Sequence, residues 1–224
     1  MSAVGTGNRF VLRVDGARPL SASSVEAVAA ICDQAEDHDG PGVVEMHLSG
    51  APEGRWTGEL TVGLVTKWER VVRRLERLPL MTVAVVSGDC GGTALDVLLV
   101  ADLRIAAPGT RLLVPSDGTA TWPGMALYRL VQQTGPAAAR RAVLLGAPIE
   151  ADQAVALHLL DEIVHDPAGH AAALAGPAGP NADRELAIRR QLMFEAASTS
   201  FEDALGAHLA ACDRALRGGA GAVS

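Results

Sequence analysis

Residues Ser87–Ala107 read SGDCGGTALDVLLVADLRIAA, a glycine-rich turn followed by an acid and set between apolar runs. The run before it, Met81–Val86 (MTVAVV), is almost wholly apolar and β-branched, the pattern of a strand covered on both faces. A strand that ends in a tight glycine turn and opens a helix leaves the helix's first backbone N–H groups without intrahelical partners, at the positive end of the dipole. Such a place favours negative charge, either a phosphate or the transient oxyanion of an activated carbonyl. Gly88, Gly91 and Gly92 do not give G-x-G-x-x-G, and no Lys-Ser or Lys-Thr follows them, which speaks against phosphate. Asp96 would repel a pyrophosphate, whereas beside a thioester it can take or return a proton. The plain alternative is that the glycines only make the turn and Asp96 only complements the dipole.

Outward from this stretch, strand and helix patterns alternate, which predicts an α/β fold with a largely parallel sheet. Phe10–Val14 reads as a first strand. Ser21–Glu36 reads as a helix capped by Ser23 or Ser24, and Val43–Leu48 as an alternating strand. After the loop EGRWTGE comes a long amphipathic helix, marked by Leu64, Val65, Trp68, Val71, Val72, Leu75 and Leu78 and ended by Pro79. Within it the spacing of Glu69 and Arg73 suits a solvated ion pair. Thr93–Ala101 is expected to be helical, Leu103–Ala106 and Arg111–Val114 extended, and PSDGTATWPG a loop; Ala137–Leu145 and Ala151–Leu157 are further helices. Residues 1–165 are the expected core, 166–182 a Pro/Gly/Ala-rich linker, 183–217 a C-terminal helical segment, and 218–224 a frayed tail.

With 224 residues, 49% of them hydrophobic, the chain has enough apolar material for one well-packed domain. Its formal net charge of −7 argues against a nucleic-acid binder, which needs a concentrated basic face. The apolar run Leu78–Val86 is too short to span a bilayer, and the N-terminus lacks the pattern of a signal peptide. Cys32, Cys90 and Cys212 are scattered without metal-ligand spacing. The expectation is a cytoplasmic protein with free thiols and no metal, engaging neither membrane nor nucleic acid.

The stretch SGDCGGTALDVLLVADLRIAA resembles the signature of the crotonase (enoyl-CoA hydratase/isomerase) superfamily. The similarity runs on through TWPG, residues 121–124, and through RAVLLGAPIEADQAVALHLLDEIV, Arg141–Val164. It implies a crotonase-like ββα superhelix with a C-terminal helical segment, an oxyanion hole for an acyl-CoA substrate, and coenzyme A as part of that substrate in place of a separate cofactor. Carried over by position, one oxyanion donor falls on the N–H of Thr93, beside Gly92, and the first catalytic acid on Asp96. The second acid falls on Ser116, with Asp117 one residue out of register, so two-carboxylate water addition is in doubt. The other oxyanion donor is placed within Trp56–Glu59, with Gly58 the best single residue and Trp56 and Thr57 beside it. Trp122, in the substrate-facing loop, shapes the pocket wall. Arg55 is a candidate for a coenzyme A phosphate, and His158, where the family has a helix-ending glycine, is expected either to take the left-handed conformation or to shift the helix cap.

Within the superfamily the chain looks most like the auxiliary dehydratase type of 3,5-dihydroxyphenylglycine biosynthesis in glycopeptide-antibiotic pathways. The residues behind this are VDGARPL (14–20), WERVVRRLERLP (68–79), DCGGTALDVLL (89–99), TWPGMALYRL (121–130) and RRQLMFEA (189–196). The resemblance implies a homo-oligomer, trimer or hexamer, that helps a type III polyketide synthase by dehydrating and aromatising its product towards 3,5-dihydroxyphenylacetyl-CoA. Two other readings stand beside it. One is a non-catalytic partner that stabilises the synthase or an active crotonase. The other is a Ser/His hydrolase using Ser87 or Ser116, for which no histidine stands at a recognisable offset.

Overall fold

A computed structural model of the chain describes residues 8–118, 120–174 and 182–220; for 173–174, 182–184 and 218–220 it describes the backbone only. The elements run β1 (Asn8–Asp15), α1 (Ala22–Glu36), β2 (Gly42–Gly50), α2 (Val62–Glu76), β3 (Met81–Gly91), α3 (Gly92–Leu98), β4 (Leu103–Ala106) and β5 (Arg111–Leu113). They continue with α4 (Met125–Thr134), α5 (Pro136–Leu145), β6 (Ile149–Glu150), α6 (Ala151–Ala156), β7 (Glu162–Ile163), α7 (Pro167–Leu174), α8 (Ala182–Ala196) and α9 (Phe201–Ala220). The expected α/β architecture, with a parallel sheet and a C-terminal helical segment, is therefore present. The main sheet has the order β1-β2-β3-β4-β7, parallel throughout.

The two-sided burial expected of Met81–Val86 is observed. Ala84 and Val86 join Leu12, Val44, Met46 and Leu48 on the face packed by α1, α2 and α3. Val83 and Val85 join Val43 and Ile105 on the other face, which Ala171 of α7 covers. On that face of β2 stands the buried Glu45, paired with Arg9 at 2.7 Å. The anticipated polar side of β2 is thus inside the protein, and an ion pair offsets part of the cost of burying its carboxylate.

Several boundaries differ from the sequence reading. The cap of α1 is Ser21, whose hydroxyl accepts from the Ser24 N–H, and that of α2 is Thr61, which accepts from the Leu64 N–H. Strand β3 does not stop at Val86 but continues to Gly91, bent at Gly88, whose φ of +64° lies in the left-handed region open to glycine. The bend makes the strand change partners. Val83–Val86 pair with β4, whereas Asp89–Gly91 pair with β5, which in turn pairs antiparallel with β6. The stretch read as a loop before residue 125 leads into helix α4, which the sequence reading did not identify: it starts behind Gly124 with no side-chain cap to announce it. His158 has φ +56°, so of the two outcomes expected of it the left-handed conformation is the one present. The stretch read as a linker opens with helix α7, whose Ala171 is 1% exposed. Residues 175–181 and 221–224 lie outside the described residues.

Arg190 ties the C-terminal segment to the sheet and to the end of α2. Arg190 of α8, 6% exposed, gives both arms of its guanidinium to the Asp102 carboxylate and also donates to the carbonyls of Leu78 and Leu80. Asp102 additionally accepts from the Thr82 N–H and hydroxyl. One guanidinium thus satisfies carbonyls at the α2–β3 junction and the acid that follows α3. Because removing one partner leaves the other charge buried and unpaired, Arg190→Ala is expected to destabilise the protein by about 3–5 kcal/mol in urea unfolding. A change below about 1 kcal/mol would show that α8 is held by other means.

Candidate active site

Asp96 sits one turn into α3, on the same face as Thr93, and its side chain is 16% exposed. Three groups from two other elements, α2 and α4, surround its carboxyl group. From α2, Trp68, itself 2% exposed, donates its indole Nε1–H to Asp96 Oδ2 at 2.9 Å. The Ala126 N–H, in the first turn of α4, favours the charged form of the same carboxyl group, as the positive end of a helix does. Arg129, three residues further along α4, has Nη1 at 3.9 Å from Asp96 Oδ1 and gives Nη2 to Glu69 Oε2 at 2.8 Å. Burial first and the nearby Glu69 charge second raise the Asp96 pKa from 3.8 to about 6, against the opposing pull of the Trp68 hydrogen bond, Arg129 and the Ala126 N–H. A carboxyl group so placed exists in both protonation states near neutral pH, as a group that takes and returns a proton requires.

The carboxyl group faces a narrow cavity of about 40 Å³, bordered by Pro52, Trp56, Gly92, Thr93, Pro115 and Trp122 among others. The rings of Trp56 and Trp122 meet edge to face at 5.4 Å, and Trp56 Nε1 donates to the Ser116 carbonyl at 3.0 Å. These contacts tie the loop before α2 to the loop before α4 across the mouth of the cavity. On its far side the turn into α3 is packed against the segment leaving β2. A Cβ on Gly91 would stand 2.8 Å from the Cβ of Ala51, and one on Gly92, where φ is +53°, 3.0 Å from Cδ of Pro52. Glycine is required at both positions by this approach of backbone to backbone.

Of the residues singled out from sequence, Trp56, Gly92, Thr93, Asp96 and Trp122 border this one cavity. Thr57, Gly58, Ser116 and Asp117 are not in its lining. Gly58 is exposed, with open space where a Cβ would be; the segment running past the glycine turn is Ala51–Pro52, because β2 ends at Gly50 opposite Cys90. Ser116 is exposed and its hydroxyl accepts from the Gly118 N–H, while the Asp117 carboxylate accepts from the Ala120 N–H, so both shape their own turn. Arg55 is exposed. The thiol of Cys90 is fully buried and its pKa is pushed up by burial and by the Asp96 charge, which holds it in the unreactive thiol form.

Two charged residues of the site escaped the sequence reading. Glu69 pairs with Arg129 and not with Arg73, which turns to Glu76. Arg129 belongs to the helix whose uncapped start gave no signal. The apolar stripe of α2 did point to Trp68, but only as packing; its indole N–H is the donor that orients Asp96. Among the described residues no group of three His, Cys, Asp or Glu side chains is placed to hold a metal ion, and no helix is long and apolar enough to cross a membrane.

Comparison with known proteins bears on this arrangement. The enoyl-CoA hydratase/isomerase family profile matches residues 60–197, from the approach to α2 through α8. A protein of Amycolatopsis orientalis named enoyl-CoA-hydratase is 63% identical over 208 residues, covering 93% of this chain and 96% of the relative. The crystal structure of an enoyl-CoA hydratase/isomerase family protein from Silicibacter pomeroyi has a TM-score of 0.80 at 21% identity, covering 96% of this chain and 97% of that one. An enoyl-CoA hydratase/isomerase from Marinobacter aquaeolei has a TM-score of 0.77 at 16% identity, with 95% and 89% covered. These two structures show the shared fold, and the family profile with the Amycolatopsis relative shows the lineage: the chain belongs to the enoyl-CoA hydratase/isomerase family, the crotonase superfamily, and is an enzyme of its lyase type.

Proposed function

We propose that the protein is a crotonase-type dehydratase of a coenzyme A thioester, working beside a type III polyketide synthase in the dehydration and aromatisation that lead to 3,5-dihydroxyphenylacetyl-CoA in antibiotic biosynthesis. The observation that carries the reading is the acid Asp96, held near neutrality in the same cavity as the Gly92–Thr93 turn, while the other carboxylate of that cavity, Glu69, is tied to Arg129. The 63% identical enoyl-CoA-hydratase of Amycolatopsis orientalis and the stretches quoted above support it. In this reading the N–H of Thr93 and an amide of the segment leaving β2 hold the thioester oxygen as an enolate forms. Asp96, as carboxylate, takes the proton from the carbon next to the thioester. The C–O bond one carbon further on breaks with its electron pair on oxygen, and Asp96 returns the proton so that water leaves. One acid suffices where the product is aromatic, since aromatisation supplies much of the driving force. The family resemblance implies a homo-oligomer, trimer or hexamer, and such an assembly would have the exposed apolar side chains Met193, Phe194, Phe201 and Leu209 of α8 and α9 available to cover.

The second reading is a non-catalytic partner of the synthase or of another crotonase. It is favoured by Ser116 at the second acid position, outside the cavity. Asp96→Asn separates the two. If the protein is the dehydratase, turnover of the polyketide thioester falls on the order of 10²–10⁴-fold; unchanged acceleration of product formation assigns the partner role. In the wild type, kcat/KM of the dehydration is expected to rise as pH increases through about 6, as Asp96 becomes the carboxylate base, and this inflection should vanish in the variant.

The same carboxyl group sets a stability trend. Its folded pKa lies above its unfolded value, so the native state binds the extra proton, and the stabilisation present below about pH 4 is lost as pH rises through about 6. Asp96→Asn removes this term. Its stability relative to wild type is therefore expected to improve by on the order of 2–3 kcal/mol between pH 4 and pH 8 in urea unfolding. A difference independent of pH would show that Asp96 is not strained by its burial.

A further inference from the structure

Arg129 has more donor capacity than the protein uses. The residue is 8% exposed, and Nη2 is engaged by Glu69. Among the described residues, nothing accepts a hydrogen bond from Nη1. Its near neighbour, Asp96 Oδ1 at 3.9 Å, is too far for a hydrogen bond although within reach of charge attraction. A buried guanidinium N–H without an acceptor is costly, and oxygen is its natural complement. The residue also stands at the edge of a groove. Glu69 and Arg129 border an open, mainly apolar groove of about 830 Å³ together with Leu60, Val65, Trp122 and Met125. Leu60, Val65, Glu69 and Trp122 border the Asp96 cavity as well, so groove and cavity share a wall.

Resting on the acyl-CoA reading above, we propose that Arg129 Nη1 is a specificity-determining donor that binds an oxygen carried by the acyl chain beside Asp96, so that the site selects β-oxygenated acyl thioesters over plain hydrocarbon ones. Glu69 gives the site its sign. By neutralising the guanidinium it removes the attraction for an anionic substituent and leaves a directed N–H donor, which suits a neutral ketone or hydroxyl oxygen better than a carboxylate. The apolar walls of the groove then accept the carbon skeleton around that oxygen.

The experiment compares two probes of equal chain length, acetoacetyl-CoA and butyryl-CoA, by calorimetric titration of the full-length protein. Wild type is expected to bind acetoacetyl-CoA on the order of 10-fold more tightly, the scale of one hydrogen bond to a charged group. In Arg129→Gln the preference should collapse to below about 2-fold with butyryl-CoA affinity little changed, and Arg129→Lys should restore part of it. Equal binding of the two probes by wild type overturns the proposal, as does an equal loss of both in Arg129→Gln. If Arg129→Gln does not fold, acetoacetyl-CoA labelled with carbon-13 at its ketone decides on wild type alone. The ketone stretching band moves to lower frequency on binding if a guanidinium donates to it, and an unmoved band overturns the proposal. Failure of wild type to bind either thioester sinks the acyl-CoA reading itself, an outcome distinct from binding both without preference.

Discussion

A carboxyl group removed from water is the constraint around which this protein is arranged. Asp96 comes from a helix of only seven residues, and that helix by itself fixes neither the rotamer nor the charge of its acid. Trp68 fixes the orientation through its indole N–H, the first turn of α4 adds a backbone donor, and Arg129 sets a positive charge at a distance. These groups favour the carboxylate, while burial and Glu69 favour the acid. The opposing influences leave the group poised near neutrality, a balance that no single element could provide.

The backbone solves a related problem. In the proposed reading the turn into α3 offers its amides to a substrate oxygen, and the neighbouring chain passes close by. Bending β3 at Gly88 lets one strand serve two partners, with the main sheet up to Val86 and the β5–β6 pair from Asp89. The second pairing fixes the direction from which α3 departs. The end of β2 then lies against Gly91 and Gly92, leaving no room for side chains. Asp102, at the other end of α3, is fastened by Arg190, so the short helix is held at both ends by groups distant in sequence.

Much of this could be read from residues 87–164. The glycine spacing, the acid one turn on and the apolar run before them are local features, and they carried the fold and the position of Asp96. The left-handed His158 was legible for the same reason, being a replacement at the end of a helix. What was not legible depended on distance. Glu69 offered two plausible cations, Arg73 one turn away and Arg129 sixty residues on, and spacing along the chain favours the first, whereas the packing of α4 against α2 selects the second. Gly58 and Ser116 lie in exposed turns outside the cavity, and the contacts that join those two turns, Trp56 with Trp122 and with the Ser116 carbonyl, span some sixty residues and leave no local pattern.

The sequence by itself determined the alternation of strands and helices, the two buried faces of β3, and an acid placed beside a glycine turn, because each follows from periodicity and backbone freedom over a few residues. Only the tertiary structure decided which donors surround that acid, which charges bias its proton, and which backbone closes over the turn. Those are matters of a few ångströms between α2, α3 and α4. They are set by how whole elements pack, and no local pattern encodes a distance across the core.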